Sequence, residues 1–74
     1  MNMEKFTLTM ESVKNKIATI NFSDFSEVRF GNKSTPISYK ITRSTDFQVL
    51  KLAILSTAER CYLSNVPFTL QVIF

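Results

Sequence analysis

The side chains that most often carry catalysis are scarce in this sequence. It contains no histidine, so the commonest general base is absent and neither a Ser–His nor a Cys–His nucleophile pair can form within one chain. Its one glycine, Gly31, cannot build a glycine-rich phosphate loop, and its six acidic residues show no motif spacing. One cysteine without histidine is too little for a mononuclear zinc site. We therefore expect a non-enzymatic protein that uses no metal and no cofactor.

The one thiol, Cys61, lies on the main apolar stripe of a predicted helix. A reactive thiol needs exposure and a nearby cation, and the neighbouring Arg60 points to another face of that helix. We therefore expect Cys61 to be a small buried hydrophobic residue. A single cysteine also excludes an internal disulfide bond.

Phe25 is the aromatic residue with the best surroundings for ligand binding. In a predicted hairpin it falls opposite Lys40, on the outward face with Arg29, and Arg43 follows the same hairpin. An exposed aromatic ring beside cations is the beginning of a base-stacking platform, so these four residues form a candidate nucleic-acid-binding site. Known RNA-binding sheets use two or three aromatic residues. We therefore favour the alternative, in which Phe25 closes the end of the core at a bend or meets a protein partner.

A helix is predicted from Thr45 to Leu63, with a capping box at residues 45–48, and it carries apolar residues on two faces. At about 100° per residue the main stripe is broad. It comprises Phe47, Leu50, Ala53, Ile54, Ala58 and Cys61. Val49, Leu52 and Leu63 fall on the opposite side, with Ser56 among them. A surface helix in a small monomer needs only the main stripe, so the second is either a set of ordinary surface aliphatics or an interface.

The elements before this helix alternate apolar and polar residues, which is typical of strands. Residues 6–11 and 18–22 pair in phase as a first hairpin if residues 13–15 form the loop. A second hairpin follows, in which a four-residue loop pairs Val28 with Ile37.

Pro67 ends the helix region, and residues 68–74 alternate again as a last strand. The predicted order is therefore β-β-β-β-α-β, an α+β fold with one helix packed on a face of an antiparallel sheet. The helix before the last strand also resembles OB-type barrels, which bind oligonucleotides, so a small, partly open barrel is the alternative. We expect the last strand to lie at a sheet edge, where Ile73 would join the second helical stripe in an interface.

Length and charge limit the remaining possibilities. Residues 1–74 make one domain near the lower size limit for an unaided core, and oligomerisation is the remedy that remains without disulfides or metals. The net charge is +3, but the nine basic residues form no run. No apolar run follows Met1, and the longest uncharged stretch, residues 61–74, is too short to span a bilayer as a helix. We expect a cytoplasmic protein without a membrane segment.

These observations favour a small non-enzymatic interaction module that self-associates, most simply as a dimer, and binds a macromolecular partner, with protein favoured over nucleic acid. The alternative is an OB-like nucleic-acid-binding protein that uses the candidate site around Phe25. Compact size and the lack of catalytic parts would suit an accessory protein of a phage or mobile element.

Overall fold

The computed structural model describes residues 3–32, 34 and 36–74. Within these residues, four strands form one open antiparallel sheet in the spatial order β1-β4-β2-β3. In chain order, the elements are β1 (Met3–Leu8), α1 (Met10–Thr19), β2 (Glu27–Gly31), β3 (Pro36–Lys40), α2 (Phe47–Leu63) and β4 (Phe68–Ile73). The predicted α+β class, with a helix packed on an antiparallel sheet, is confirmed. The barrel alternative is wrong because the sheet does not close.

The predicted first hairpin is wrong, because residues 10–19 form helix α1. The Thr9 hydroxyl accepts the Ser12 backbone N–H at 3.2 Å and so satisfies one of the free donors at the helix start. Val13 and Ile17, four residues apart, bury one face of the helix against the core. The chain order is therefore β-α-β-β-α-β instead of β-β-β-β-α-β.

The second hairpin forms, but its register differs from the predicted one by two residues. Val28 lies opposite Tyr39, and Phe30 lies opposite Ile37. Gly31 extends β2 with a φ of 134°, a value that favours glycine, so the turn begins one residue later than predicted. Because the displacement is even, the same side chains still face the core.

Helix α2 begins at Phe47, after a 3₁₀ turn at Ser44–Asp46. The predicted capping box is not formed, since neither the turn nor the helix start has a side-chain cap hydrogen bond. The Asp46 carboxylate instead accepts the Thr42 hydroxyl at 3.2 Å. After the helix, Asn65 has a φ of 57°, a left-handed conformation that is common just past a helix C-terminus.

The core lies between the two helices and one face of the sheet. The predicted main stripe of α2 faces it: Leu50, Ile54, Ala58 and Cys61 are buried, and Phe47 and Ala53 pack against them half-buried. The sheet contributes buried side chains from its two inner strands, Val28, Phe30, Phe68, Leu70 and Val72. Both helices therefore cover the same face, and no helix of the described residues packs on the other face of the sheet.

Strand β4 lies inside the sheet, between β1 and β2, so the predicted edge position of the last strand is wrong. Ile73 is paired on both sides, with Met3 and with Glu27, and only 3% of it is exposed. Its backbone carbonyl accepts the Ser26 N–H at 2.8 Å and the Ser26 hydroxyl at 3.2 Å. Ile73 is therefore buried within its own chain and is not available for the interface that the sequence predicted.

Candidate functional site

The outer face of α2 exposes a line of apolar side chains. Val49, Leu52 and Leu63, hereafter the α2 stripe, are 54%, 67% and 77% exposed. They lie on the side of the helix that points away from the buried Leu50 and Ile54, as their spacing predicts. Aliphatic side chains aligned along one helix leave apolar surface in water that a partner could cover.

A small pocket of about 310 Å³ lies beside the last turns of α2 and against the β2–β3 hairpin. Thr57, Arg60 and Cys61 line it from the helix, and Ile37 lines it from β3. The Arg60 guanidinium donates to the Thr57 hydroxyl at 3.4 Å, so the side chain of this partly buried threonine is satisfied. Cys61 is buried, as expected, and serves the core. Among the described residues that line this pocket, Arg60 is the one cation and none is a carboxylate.

The face of the sheet opposite the helices, hereafter the uncovered face, is polar. Alternate residues of all four strands lie on it, and the polar ones are Lys5, Thr7, Glu27, Arg29, Ser38, Lys40, Thr69 and Gln71. The same register also places Met3, Gly31, Pro36 and Ile73 on this face. One row runs across the strands from Lys5 through Gln71 and Arg29 to Ser38. The row contains two cations, Lys5 and Arg29, and Lys40 lies in the neighbouring row opposite Glu27; all three are exposed to solvent.

Glu27 interacts with two polar side chains of the uncovered face, those of Ser38 and Arg29. Its carboxylate accepts the Ser38 hydroxyl and lies 2.8 Å from Nε of Arg29. The Ser38 hydrogen bond and then the Arg29 hydrogen bond hold the pKa of Glu27 below its ordinary value of 4.5, with a smaller contribution from the charge of Lys40. Glu27 is therefore ionised at neutral pH and occupies part of the donor capacity of Arg29.

The four residues predicted for nucleic-acid binding are not brought together. Arg29 and Lys40 lie on the uncovered face. Phe25 does not, because the chain bends there after a 3₁₀ turn, and its ring packs 6.3 Å from that of Phe22 and 5.1 Å from that of Phe74. Phe25 closes the end of the core, which is the placement that the favoured interpretation describes. Arg43 lies before α2, on another part of the molecule, with its Nε 3.8 Å from the Asp46 carboxylate.

Lys5 is the cation that the sequence analysis missed. It lies on the uncovered face because Phe6 and Leu8 turn toward the core, and alternation then directs Lys5 and Thr7 the other way. That signal is present in the sequence of β1. What the sequence does not show is that β4 joins β1 to β2, which places Lys5 and Arg29 in one row.

Comparisons with protein families, with curated proteins and with solved structures found no match to this chain.

Over the described residues, no helix is both long enough and apolar enough to cross a membrane. The same part of the chain holds no cluster of three or more His, Cys, Asp or Glu side chains that could bind a metal ion.

Proposed function

We propose that the protein is a small non-enzymatic interaction module that binds other proteins through the α2 stripe, and that its first partner is a second copy of the same chain. The exposure of Val49, Leu52 and Leu63 along one line of α2 is the observation that carries this proposal. A chain of 74 residues can bury only a small hydrophobic core. Burying the α2 stripe against a partner would add apolar contact area and stabilise the domain.

The spacing of the α2 stripe suits a symmetric pair. Val49 and Leu63 each lie seven residues, about two helical turns, from Ser56. In an antiparallel pair with its two-fold axis near Ser56, Val49 of one copy would lie beside Leu63 of the other, and the reverse contact would follow by symmetry. The small Ser56 side chain at the crossing point would let the two helices approach closely.

The small area of the α2 stripe limits the affinity that we expect for the dimer. Full burial of one Val or Leu side chain contributes ~1.5–3 kcal/mol, and association costs at least ~4 kcal/mol in lost freedom of motion. We therefore expect a dimer that forms at micromolar rather than nanomolar concentration.

Sedimentation-velocity centrifugation over a concentration series tests the proposal. Leu63→Glu would place a charge beside Val49 of the other copy and should shift the protein to monomer. Asn15→Glu is the matched control, because it adds the same charge at an exposed position of α1 and should leave association unchanged. A parent protein that stays monomeric at high micromolar concentration would contradict self-association, and so would equal effects of the two substitutions.

A further inference from the structure

We propose that the uncovered face binds the sugar–phosphate backbone of single-stranded nucleic acid. The inference does not depend on the proposed self-association, because it uses the opposite side of the molecule from α2. Lys5, Arg29 and Lys40 project from this face, and Glu27 is the one acidic residue among its described positions. Their charges sum to +2, so the face is complementary to a polyanion.

The spacing of the cations favours a ligand with repeated charges over a single small anion. Neighbouring strands lie about 4.8 Å apart, so the backbones at Lys5 and Arg29, two strands from each other, are separated by roughly 10 Å. Lys40 lies one strand farther, on β3. A chain that carries a phosphate on every nucleotide can contact all three positions at once.

Neutral hydrogen-bonding groups lie between the cations. The hydroxyl group of Thr7 and the amide of Gln71 face the same side as Lys5, whereas the Thr69 hydroxyl donates to the Gly31 carbonyl at 3.1 Å. Threonine and glutamine side chains are, with lysine and arginine, regular partners of phosphate and sugar oxygens. Lys5, Thr7 and Thr69 also line an open pocket of about 660 Å³ that reaches Pro67 and gives room for a nucleotide.

The composition of the uncovered face also indicates whether binding depends on the base sequence of the ligand. None of its described residues is aromatic, so bases have no ring on which to stack and we expect no sequence preference. A single strand is flexible enough to follow the twist of a four-stranded sheet, whereas duplex DNA is stiff over this length. The structure therefore favours single strands over duplexes.

Glu27 lowers the affinity of the uncovered face for phosphate groups. Its carboxylate holds the Arg29 guanidinium and repels phosphate. Glu27→Gln removes a negative charge from the face and weakens the hold on Arg29. Binding should therefore become tighter in this variant, an effect that loss of folding cannot produce.

Fluorescence anisotropy with labelled oligo(dT) of 20 nucleotides, at 50–200 mM salt, tests the inference. With three phosphate contacts the affinity should fall about 20-fold across this range, since the slope is roughly −0.7 per contact for single strands. Lys5→Gln and Lys40→Gln should each weaken binding and reduce the slope by about 0.7. Glu27→Gln should strengthen binding, and a duplex of the same length should bind less tightly than the single strand.

Lys14→Gln is the matched control, because it removes the same charge from the exposed side of α1. It should bind almost as tightly as the parent protein. The proposal is overturned if the parent does not bind at 50 mM salt, if Lys14→Gln weakens binding as much as Lys5→Gln, if Glu27→Gln does not strengthen it, or if the duplex binds more tightly.

Discussion

At the scale of single residues, side chains of nearly equal size have opposite environments two positions apart on α2. Ile54 is fully buried and Leu52 is 67% exposed, because two residues correspond to about 200° around a helix. The sequence predicted this division correctly, since helical periodicity separates the two stripes without knowledge of the partner elements. It could not predict the environment of Phe25, which depends on a bend after a short 3₁₀ turn.

Ile54→Ala should therefore remove a large part of the free energy of unfolding. The substitution removes buried methyl and methylene groups and leaves a cavity, at a cost of ~2–5 kcal/mol, against a total stability of ~5–15 kcal/mol for a typical domain. Urea denaturation, followed by circular dichroism at a concentration low enough to keep the protein monomeric, measures the change in the free energy of unfolding.

Leu52→Ala is the matched control for this experiment, because it truncates an aliphatic side chain on the exposed side of the same helix. Its cost should stay within ~0.5 kcal/mol in the monomer. A similar cost for the two variants would show that α2 is turned differently about its axis.

At the scale of elements, the two helices differ in how readily the sequence predicts them. Helix α2 has 17 residues and repeats its apolar stripe over several turns, so its period is unambiguous. Helix α1 has ten residues, and the alternation at Phe6, Leu8 and Met10 continues from β1 into its first position. The spacing of apolar residues therefore changes from the strand period of two to the helix period of about 3.6 at a point that alternation alone does not mark. Thr9, which caps the helix through Ser12, and the buried Val13 are the residues that indicate a helix start.

Two threonine substitutions compare the helix starts. Thr9→Ala removes the hydroxyl that accepts the Ser12 N–H and should cost ~1 kcal/mol in the free energy of unfolding. Thr45→Ala removes the hydroxyl that the sequence predicted as a cap, but the start of α2 has no side-chain cap bond, so its cost should stay within ~0.5 kcal/mol. Thermal or urea denaturation of both variants measures these costs. If the predicted capping box were formed, Thr45→Ala would lower the free energy of unfolding more than Thr9→Ala.

At the scale of the whole molecule, the placement of both helices on one face of the sheet gives the protein two different sides. One side carries the α2 stripe, and the other is the polar uncovered face. The sequence predicted the strand-like alternation but not the order β1-β4-β2-β3, because alternation does not specify which strands become neighbours. The row of polar residues that crosses four strands could therefore not be assembled from the sequence alone.

The two proposed interactions should be separable because they use opposite sides. Leu63→Glu should abolish the dimer while leaving the salt dependence of oligo(dT) binding close to that of the parent protein, since no phosphate contact is removed. The measurement is the anisotropy titration repeated on the monomeric variant. A large change in the slope would indicate that α2 itself contacts the oligonucleotide, and the two sides would then not act independently.

The internal position of β4 also has a consequence for the nascent chain. Met3 pairs with Ile73, so the first strand made must wait for a partner 70 residues later. At a synthesis rate of 5–20 residues per second this wait lasts roughly 4–14 s, during which Phe6 and Leu8 have no strand to cover them. Of the three strand pairings, only the β2–β3 hairpin is local, and such a high contact order slows folding. Strand β4, which joins β1 to the β2–β3 hairpin, is therefore the last strand to be synthesised, and the sheet is complete only when it pairs.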